Sequence, residues 1–137
     1  MEHKDPSRSP LVLVVDDHRD TREMYAQVLD LFGYRTCEAG DGFDAWEKAQ
    51  ALTPDVIVTD VGLPGMDGIE LCSRLKANDA TARIPVIALT GFGEAAVAER
   101  ARSLGIAKVL VKPCSPDVLF SEIEAVCPRN RRPSSSV

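Results

Sequence analysis

Four short apolar runs, each ending at a polar residue, constrain the fold of this chain more than any other feature. They span Leu11–Val15, Val56–Val58, Val86–Leu89 and Val109–Val111, and a weaker run spans Arg35–Ala39. Branched aliphatic residues dominate these runs, and polar residues do not alternate with them. The pattern predicts β-strands that are covered on both faces, as in a parallel sheet.

Segments with helical spacing separate these runs. Gly33, Pro54 and Gly105 follow three of the segments as helix stops, and the last segment opens with Ser115 and Pro116 as N-cap and first helical residue. Strand and helix alternate five times, which predicts an α/β fold with a doubly wound, five-stranded parallel sheet and five helices. The apolar stripes of the helices are Met24, Val28 and Phe32; Ala45, Ala49 and Leu52; Ile69, Cys72 and Leu75; Val97, Ala101 and Leu104; and Leu119, Ile123 and Val126.

The length of 137 residues suits one domain, which we expect over residues 10–127. We expect flexible ends at residues 1–9 and 128–137. The basic residues Arg129, Arg131 and Arg132 in the second end fit a small docking tail or, as the composition favours, a solvated end.

The net charge of -5 argues against a nucleic-acid surface, because phosphate binding depends on clustered Lys and Arg. The longest clean apolar runs have about five residues, whereas a membrane helix needs about 20. No secretory signal follows Met1, so we expect a cytoplasmic protein that does not enter the membrane.

The four cysteines show no metal or redox spacing. Cys37, Cys72, Cys114 and Cys127 all lie more than three residues apart, and the chain has only two histidines. Zinc and thioredoxin-type motifs are therefore not expected. We predict reduced, mostly buried thiols.

Polar groups follow the strong apolar runs at the points where the strands end. Asp16 and Asp17 follow the first run, and the later runs lead to Asp60, Thr90 and Lys112. The carboxyl ends of parallel strands lie along one edge of a sheet, where open sheets bind ligands. Any one of these residues has an alternative role, because the Asp pair or Thr90 would also suit the start of a helix. Together they predict one shallow pocket.

Three carboxylates in one pocket repel one another unless a cation offsets them. Carboxylate oxygens suit a hard divalent ion such as Mg2+, which often bridges to a phosphate. An aspartate can act as the nucleophile towards phosphorus. Lys112 and the metal would then stabilise charge on the transferred group, and Thr90 would hydrogen-bond to it. The residues thus indicate phosphoryl chemistry.

The motifs at these strand ends resemble those of the CheY-like receiver domains of bacterial two-component signalling. The resemblance covers roughly residues 10–127 and implies a flavodoxin-like sheet with strand order 2-1-3-4-5. The motifs that carry it are Val14-Val15-Asp16-Asp17; Val58-Thr59-Asp60-Val61-Gly62-Leu63-Pro64-Gly65-Met66-Asp67-Gly68; Leu89-Thr90-Gly91; and Val111-Lys112-Pro113.

The resemblance also implies a role for each site residue. Asp60 would accept a phosphoryl group from the phosphohistidine of a sensor histidine kinase or phosphotransfer protein. Thr90 would move towards that group and Lys112 would pair with it, and the Lys112–Pro113 bond would be cis. The chain would act as a phosphorylation switch for a downstream effector, and not as an enzyme. The ligands of Mg2+ would be Asp16, Asp17, Asp60 and the backbone carbonyl of Gly62.

Two features vary the usual pattern of the family. Many receivers carry Tyr or Phe three residues before the lysine, where this chain has Val109. We therefore predict that the signal leaves through the loop and helix after Thr90. At the mouth of the pocket, Gly62 offers no side chain and Phe92 offers a large one, so the sequence does not specify the lifetime of the phosphoryl group.

Three other classes of protein would each be expected to show a sequence feature that this chain does not have. A haloacid-dehalogenase-type hydrolase would place an acid two residues after the nucleophile, where this chain has Gly62. A receiver that is never phosphorylated would be expected to lack an acid, Thr90 or Lys112. A flavin-binding protein would need a Gly-rich and Ser/Thr-rich loop after the first strand. A stand-alone receiver, a phosphorelay shuttle and the receiver of a longer regulator all fit the sequence.

Overall fold

A five-stranded parallel sheet forms the centre of the computed structural model, which describes residues 9–91, 93 and 95–127. Its strands lie in the order β2-β1-β3-β4-β5, so the predicted fold class and strand order are confirmed. After β2, which lies on one side of β1, the chain crosses to β3 on the other side of β1. The strand order reverses at this point, and open sheets bind ligands at such a reversal. The strands are β1 (Leu11–Val15), β2 (Arg35–Ala39), β3 (Val56–Asp60), β4 (Val86–Thr90) and β5 (Lys108–Val111).

In the part of the chain that the structure describes, five helices connect and follow the strands. Side-chain N-caps are described for three of them, in which Asp41, Asp67 and Ser115 accept a hydrogen bond from a backbone N–H three residues later. The predicted cap at Ser115, with Pro116 after it, is confirmed. The helices are α1 (Arg19–Leu31), α2 (Gly42–Leu52), α3 (Gly68–Ala77), α4 (Ala95–Ser103) and α5 (Pro116–Val126).

The sheet separates two apolar layers. Alternate residues of β1 point to opposite faces, so Val12 and Val14 join the layer under α1 and α5. Leu13 and Val15 join the layer under the other three helices. Every residue of β3 and β4 is buried, which explains the apolar runs that precede their polar last residues.

The predicted core face of α1 was wrong. Met24 is 39% exposed and Phe32 is 42% exposed, while Tyr25, Ala26 and Leu29 are the buried residues. Helix α1 carries apolar residues over two adjacent stripes, and spacing alone does not distinguish them. The Tyr25 hydroxyl donates to the Cys114 carbonyl at 2.7 Å, which satisfies the polar end of a buried ring. Leu52, at the end of α2, is also exposed.

Several further expectations concern single residues or the chain ends. All four cysteines are free thiols; Cys37 is partly exposed and the other three are buried. Burial raises the pKa of the Cys72 thiol to about 12.

No helix in the described part of the chain is long and apolar enough to cross a bilayer. Phe92, the basic cluster at residues 129–132 and both predicted flexible ends, apart from Ser9, lie outside the described residues.

Candidate functional site

The carboxyl edge of the sheet brings together polar residues from four strands. Asp16 and Asp17 follow β1, and Lys112 follows β5. Asp60 and Thr90 are the last residues of β3 and β4. Parallel pairing aligns these ends, with Asp60 opposite Leu89 and Thr90 opposite Val111. The convergence therefore follows directly from the topology.

The carboxylate of Asp60 is held from two sides. Its Oδ2 accepts a hydrogen bond from Lys112 Nζ at 3.0 Å, and its Oδ1 accepts one from the Gly62 N–H at 3.2 Å. Asp60 is 7% exposed, so a narrow access to solvent remains. Burial lowers the pKa of Lys112, but the hydrogen bond and charge of Asp60 raise it more, and the net pKa lies above its ordinary value. Lys112 is therefore an ammonium ion at neutral pH.

Asp16 has one satisfied and one unsatisfied carboxylate oxygen. Its Oδ1 accepts a hydrogen bond from the His18 N–H at 2.8 Å. Its Oδ2 is buried and accepts no hydrogen bond from the described residues, and Lys112 Nζ lies 3.6 Å away. A buried carboxylate oxygen without a hydrogen bond is costly. A cation bound beside Asp16 would remove that cost.

The acidic cluster consists of Asp16, Asp17 and Asp60, with His18 at its edge. One ligand atom from each of these four residues lies within 4.8 Å of the others. His18 is the N-cap residue of α1; its side chain is 72% exposed, and Nδ1 lies 3.4 Å from an oxygen of both Asp16 and Asp17. A set dominated by carboxylate oxygens suits a hard cation. The predicted carboxylates are thus close enough to share one ion.

Thr90 lies beside this cluster with a weakly engaged hydroxyl. The residue is buried, and its Oγ1 donates to the Leu110 carbonyl at 3.5 Å, the outer limit for a hydrogen bond. A stronger acceptor would therefore capture the hydroxyl readily. A cavity of about 330 Å³ adjoins Thr90 on the side of α4. It is lined mainly by small apolar residues, among them Gly91, Ala95, Ala98 and Val111.

The loop from β3 to α3 is packed closely against the backbone of Asp60. A Cβ atom added at Gly68 would lie 2.5 Å from Val61 Cα and 2.7 Å from the Asp60 carbonyl oxygen. The Gly68 N–H also donates to the Val61 carbonyl at 3.0 Å. Glycine is therefore required where α3 begins. The same loop carries Gly62, where an added Cβ would meet nothing closer than 4.0 Å.

The predicted site residues differ in how closely they contact Asp60. Asp16, Asp60 and Lys112 are in direct contact or nearly so, and Asp17 completes the acidic cluster. Gly62 contacts Asp60 through its N–H, and Thr90 lies at the neighbouring strand end. The Lys112–Pro113 bond is cis, as predicted.

Sequence reasoning missed Arg22, which lies on α1. Its Nη1 donates to the Asp16 carbonyl at 2.9 Å. A signal for it existed, because a helix that begins beside the acid pair returns to the same side within about one turn.

Comparisons with known proteins agree on one family. The model of the response regulator receiver domain matches residues 12–124. The chain is 35% identical over 121 residues to the chemotaxis protein CheY1 of Helicobacter pylori, covering 87% of this chain and 98% of that protein. It is 38% identical over 118 residues to the phosphate regulon transcriptional regulatory protein PhoB of Pseudomonas aeruginosa. That match covers 86% of this chain but only 52% of PhoB, so the chain spans about half of that relative.

A solved structure has the same fold. The chemotaxis response regulator CheY4 of Vibrio cholerae superposes with a TM-score of 0.80 at 31% identity, over 86% of this chain and 98% of that one. Family model, sequence relatives and structure all lead to the same assignment. The chain belongs to the response regulator receiver domain family of two-component systems.

Proposed function

We propose that Asp60 accepts a phosphoryl group from the phosphohistidine of a sensor histidine kinase or a phosphotransfer protein. The observation that carries this proposal is the setting of the Asp60 carboxylate. It is nearly buried, 3.0 Å from the Lys112 ammonium, and shares a cluster with Asp16 and Asp17. The phosphorylated domain would then signal to a downstream effector. The cytoplasmic location expected from the sequence stays a prediction.

The acidic cluster fits Mg2+, because Asp16 Oδ2 is buried without a hydrogen bond from any described residue. Asp16, Asp17, Asp60 and the backbone carbonyl of Gly62 would hold the ion. When bound, the ion would neutralise charge on the acids and on the oxygens of the transferred group. Lys112 supplies one positive charge against the three carboxylates of the cluster. A divalent ion would bring the cluster to neutrality.

Asp60, Lys112 and Thr90 would divide the transfer between them. An Asp60 oxygen forms a bond to phosphorus as the phosphorus–nitrogen bond of the donor breaks, and the electron pair of that bond stays on the imidazole nitrogen. The Lys112 ammonium, already 3.0 Å from Asp60 Oδ2, stabilises the negative charge of the phosphoryl oxygens. The Thr90 hydroxyl exchanges its weak bond to Leu110 for a phosphoryl oxygen. The cavity beside Thr90 leaves space for the loop and α4 to respond.

The same site is poorly equipped for repeated turnover. A hydrolase with an aspartate nucleophile needs a general acid to protonate its leaving group. Gly62, two residues after Asp60, provides no such group. Asp60, Thr90 and Lys112 are all present, which argues against a module that is never phosphorylated. These two features favour a switch.

Incubation with Mg2+ and acetyl phosphate is expected to add one phosphoryl group, about 80 Da by intact-mass measurement. The adduct should be absent in Asp60→Asn, and it should be absent in the wild-type protein when a chelator removes Mg2+. Asp67→Asn serves as the matched control, because Asn also caps a helix and Asp67 lies outside the acidic cluster. An adduct that persists in Asp60→Asn would contradict the proposal. Phosphate release far beyond one equivalent at a constant rate would favour a hydrolase.

Mg2+ is expected to raise the thermal midpoint of the wild-type protein and to have a much smaller effect on Asp17→Asn. An ion at 100 times its Kd adds about 2.7 kcal/mol to the free energy of unfolding. Without Mg2+, the variant should be the more stable protein, because one repulsive charge is removed. Calorimetric melting with Asp20→Asn as control measures both effects. Equal stabilisation of wild type and Asp17→Asn by Mg2+ would rule out this site.

A further inference from the structure

Arg22 connects the edge strand of the sheet to the backbone of the acid pair. Its side chain is 18% exposed, so most of it is withdrawn from solvent. Its Nη1 donates to the Asp16 carbonyl at 2.9 Å, and its Nε donates to Glu38 Oε1 on β2 at 3.0 Å. The planar guanidinium can make both bonds at once because its donors are fixed relative to one another.

The end of β2 holds the same residue from a second direction. The Asp16 N–H donates to the Ala39 carbonyl at 3.1 Å. Ala39 follows Glu38, so adjacent residues of one strand restrain both the N–H and, through Arg22, the carbonyl of Asp16. Gly40 comes next, and a Cβ atom added there would lie 3.3 Å from Arg22 Nη1. The absence of a side chain at Gly40 leaves room for the guanidinium.

The restrained carbonyl belongs to the peptide group that joins Asp16 to Asp17. The orientation of this peptide sets the directions in which the two carboxylates leave the backbone. We propose that Arg22, anchored by Glu38, is a positioning residue that orients the Asp16 and Asp17 carboxylates for Mg2+. This inference rests on the proposed function, because it assumes that the acidic cluster binds the ion.

If Arg22 acts only through its charge, neutralising it should change the Mg2+ affinity in the opposite direction from the change expected if Arg22 positions the ligands. A guanidinium bonded to the backbone of Asp16 carries a positive charge close to the proposed ion site and repels an incoming cation, so its removal should strengthen Mg2+ binding if charge alone matters. If Arg22 positions the ligands, its removal should weaken binding in spite of the lost repulsion. A purely structural role would lower the unfolding midpoint and leave Mg2+ affinity unchanged. The sign of the change in affinity therefore separates the three roles.

Isothermal titration of the full chain with Mg2+ tests the proposal. Arg22→Gln is expected to weaken binding about 10-fold, a typical cost of losing a group that orients metal ligands. Arg22→Lys should not restore the affinity, because one ammonium cannot reproduce the forked contact. The matched control is Arg19→Gln, which removes an exposed Arg–Glu pair at 3.0 Å on the same helix. This control should leave the affinity within about twofold of wild type.

Glu38→Asp provides a second variant in case Arg22→Gln folds poorly. It keeps the charges of both residues but draws the carboxylate back from the Arg22 guanidinium, and we expect reduced Mg2+ affinity here as well. Unchanged or tighter binding in Arg22→Gln, or full recovery in Arg22→Lys, would overturn the positioning role while the proposed function stands. A folded wild-type protein that binds no Mg2+ would overturn both.

Discussion

Replacing Lys112 with Met is expected to slow phosphoryl acceptance from acetyl phosphate about 100-fold, the usual cost of losing a group that stabilises developing charge. Lys112 Nζ lies 3.0 Å from Asp60 Oδ2 and 3.6 Å from Asp16 Oδ2, so it is the nearest cation to the proposed acceptor among the described residues. Met keeps most of the apolar stem and removes the charge. Rates of adduct formation by intact mass give the measurement.

Lys108→Met is the matched control for this prediction. Lys108 lies on β5, its side chain is about half exposed, and its Nζ is 3.8 Å from Glu122. The rate for this control should match wild type. Because Lys112→Met leaves three carboxylates without their ammonium, it should also unfold at a lower temperature, and Mg2+ should recover part of the loss. A rate for Lys112→Met equal to that of the control would refute the role of the ammonium.

Gly68→Ala is expected to lower the free energy of unfolding by about 3 kcal/mol, near the upper range for overpacking. The new methyl group would lie 2.5 Å from Val61 Cα and 2.7 Å from the Asp60 carbonyl, and both neighbours are backbone atoms. Such atoms move only if the end of β3 moves with them. Phosphoryl acceptance should therefore fall as well, because Asp60 is the last residue of that strand.

The loop itself offers the control for this substitution. Gly62→Ala adds the same methyl group six residues earlier, where the nearest atom is 4.0 Å away. Neither glycine has a positive φ, so backbone strain does not distinguish them. Denaturant unfolding should show little change for Gly62→Ala. Similar stabilities for the two variants would show that the contact at Gly68 relaxes easily.

Much of the site was predictable because the residues that follow parallel strands lie together at one edge of the sheet. Once the apolar runs are identified as parallel strands, Asp16, Asp60 and Lys112 must lie along one edge. Periodicity alone does not give the strand order. That order came from the family resemblance, and the structure confirms it.

Other features depend on tertiary contacts that single-sequence patterns do not contain. The core face of α1 is set by Tyr25, whose hydroxyl reaches a carbonyl 89 residues later in the chain. Arg22 lies about one turn into α1, on the side of the acid pair, but its bond to the Asp16 backbone is seen only in the structure. The need for glycine at position 68 follows from an approach of two backbone segments. Each case is decided by distances between residues that only the folded structure supplies.

The most direct test of the central claim is to locate the phosphoryl group on the chain. Borohydride reduces an acyl phosphate to an alcohol, so phosphorylated aspartate becomes homoserine, which peptide sequencing by mass spectrometry can place. After incubation with Mg2+ and acetyl phosphate, we predict homoserine at position 60 and unmodified aspartate at positions 16, 17 and 67. Homoserine at one of those other positions, or at none, would contradict the assignment of Asp60 as the phosphoryl acceptor.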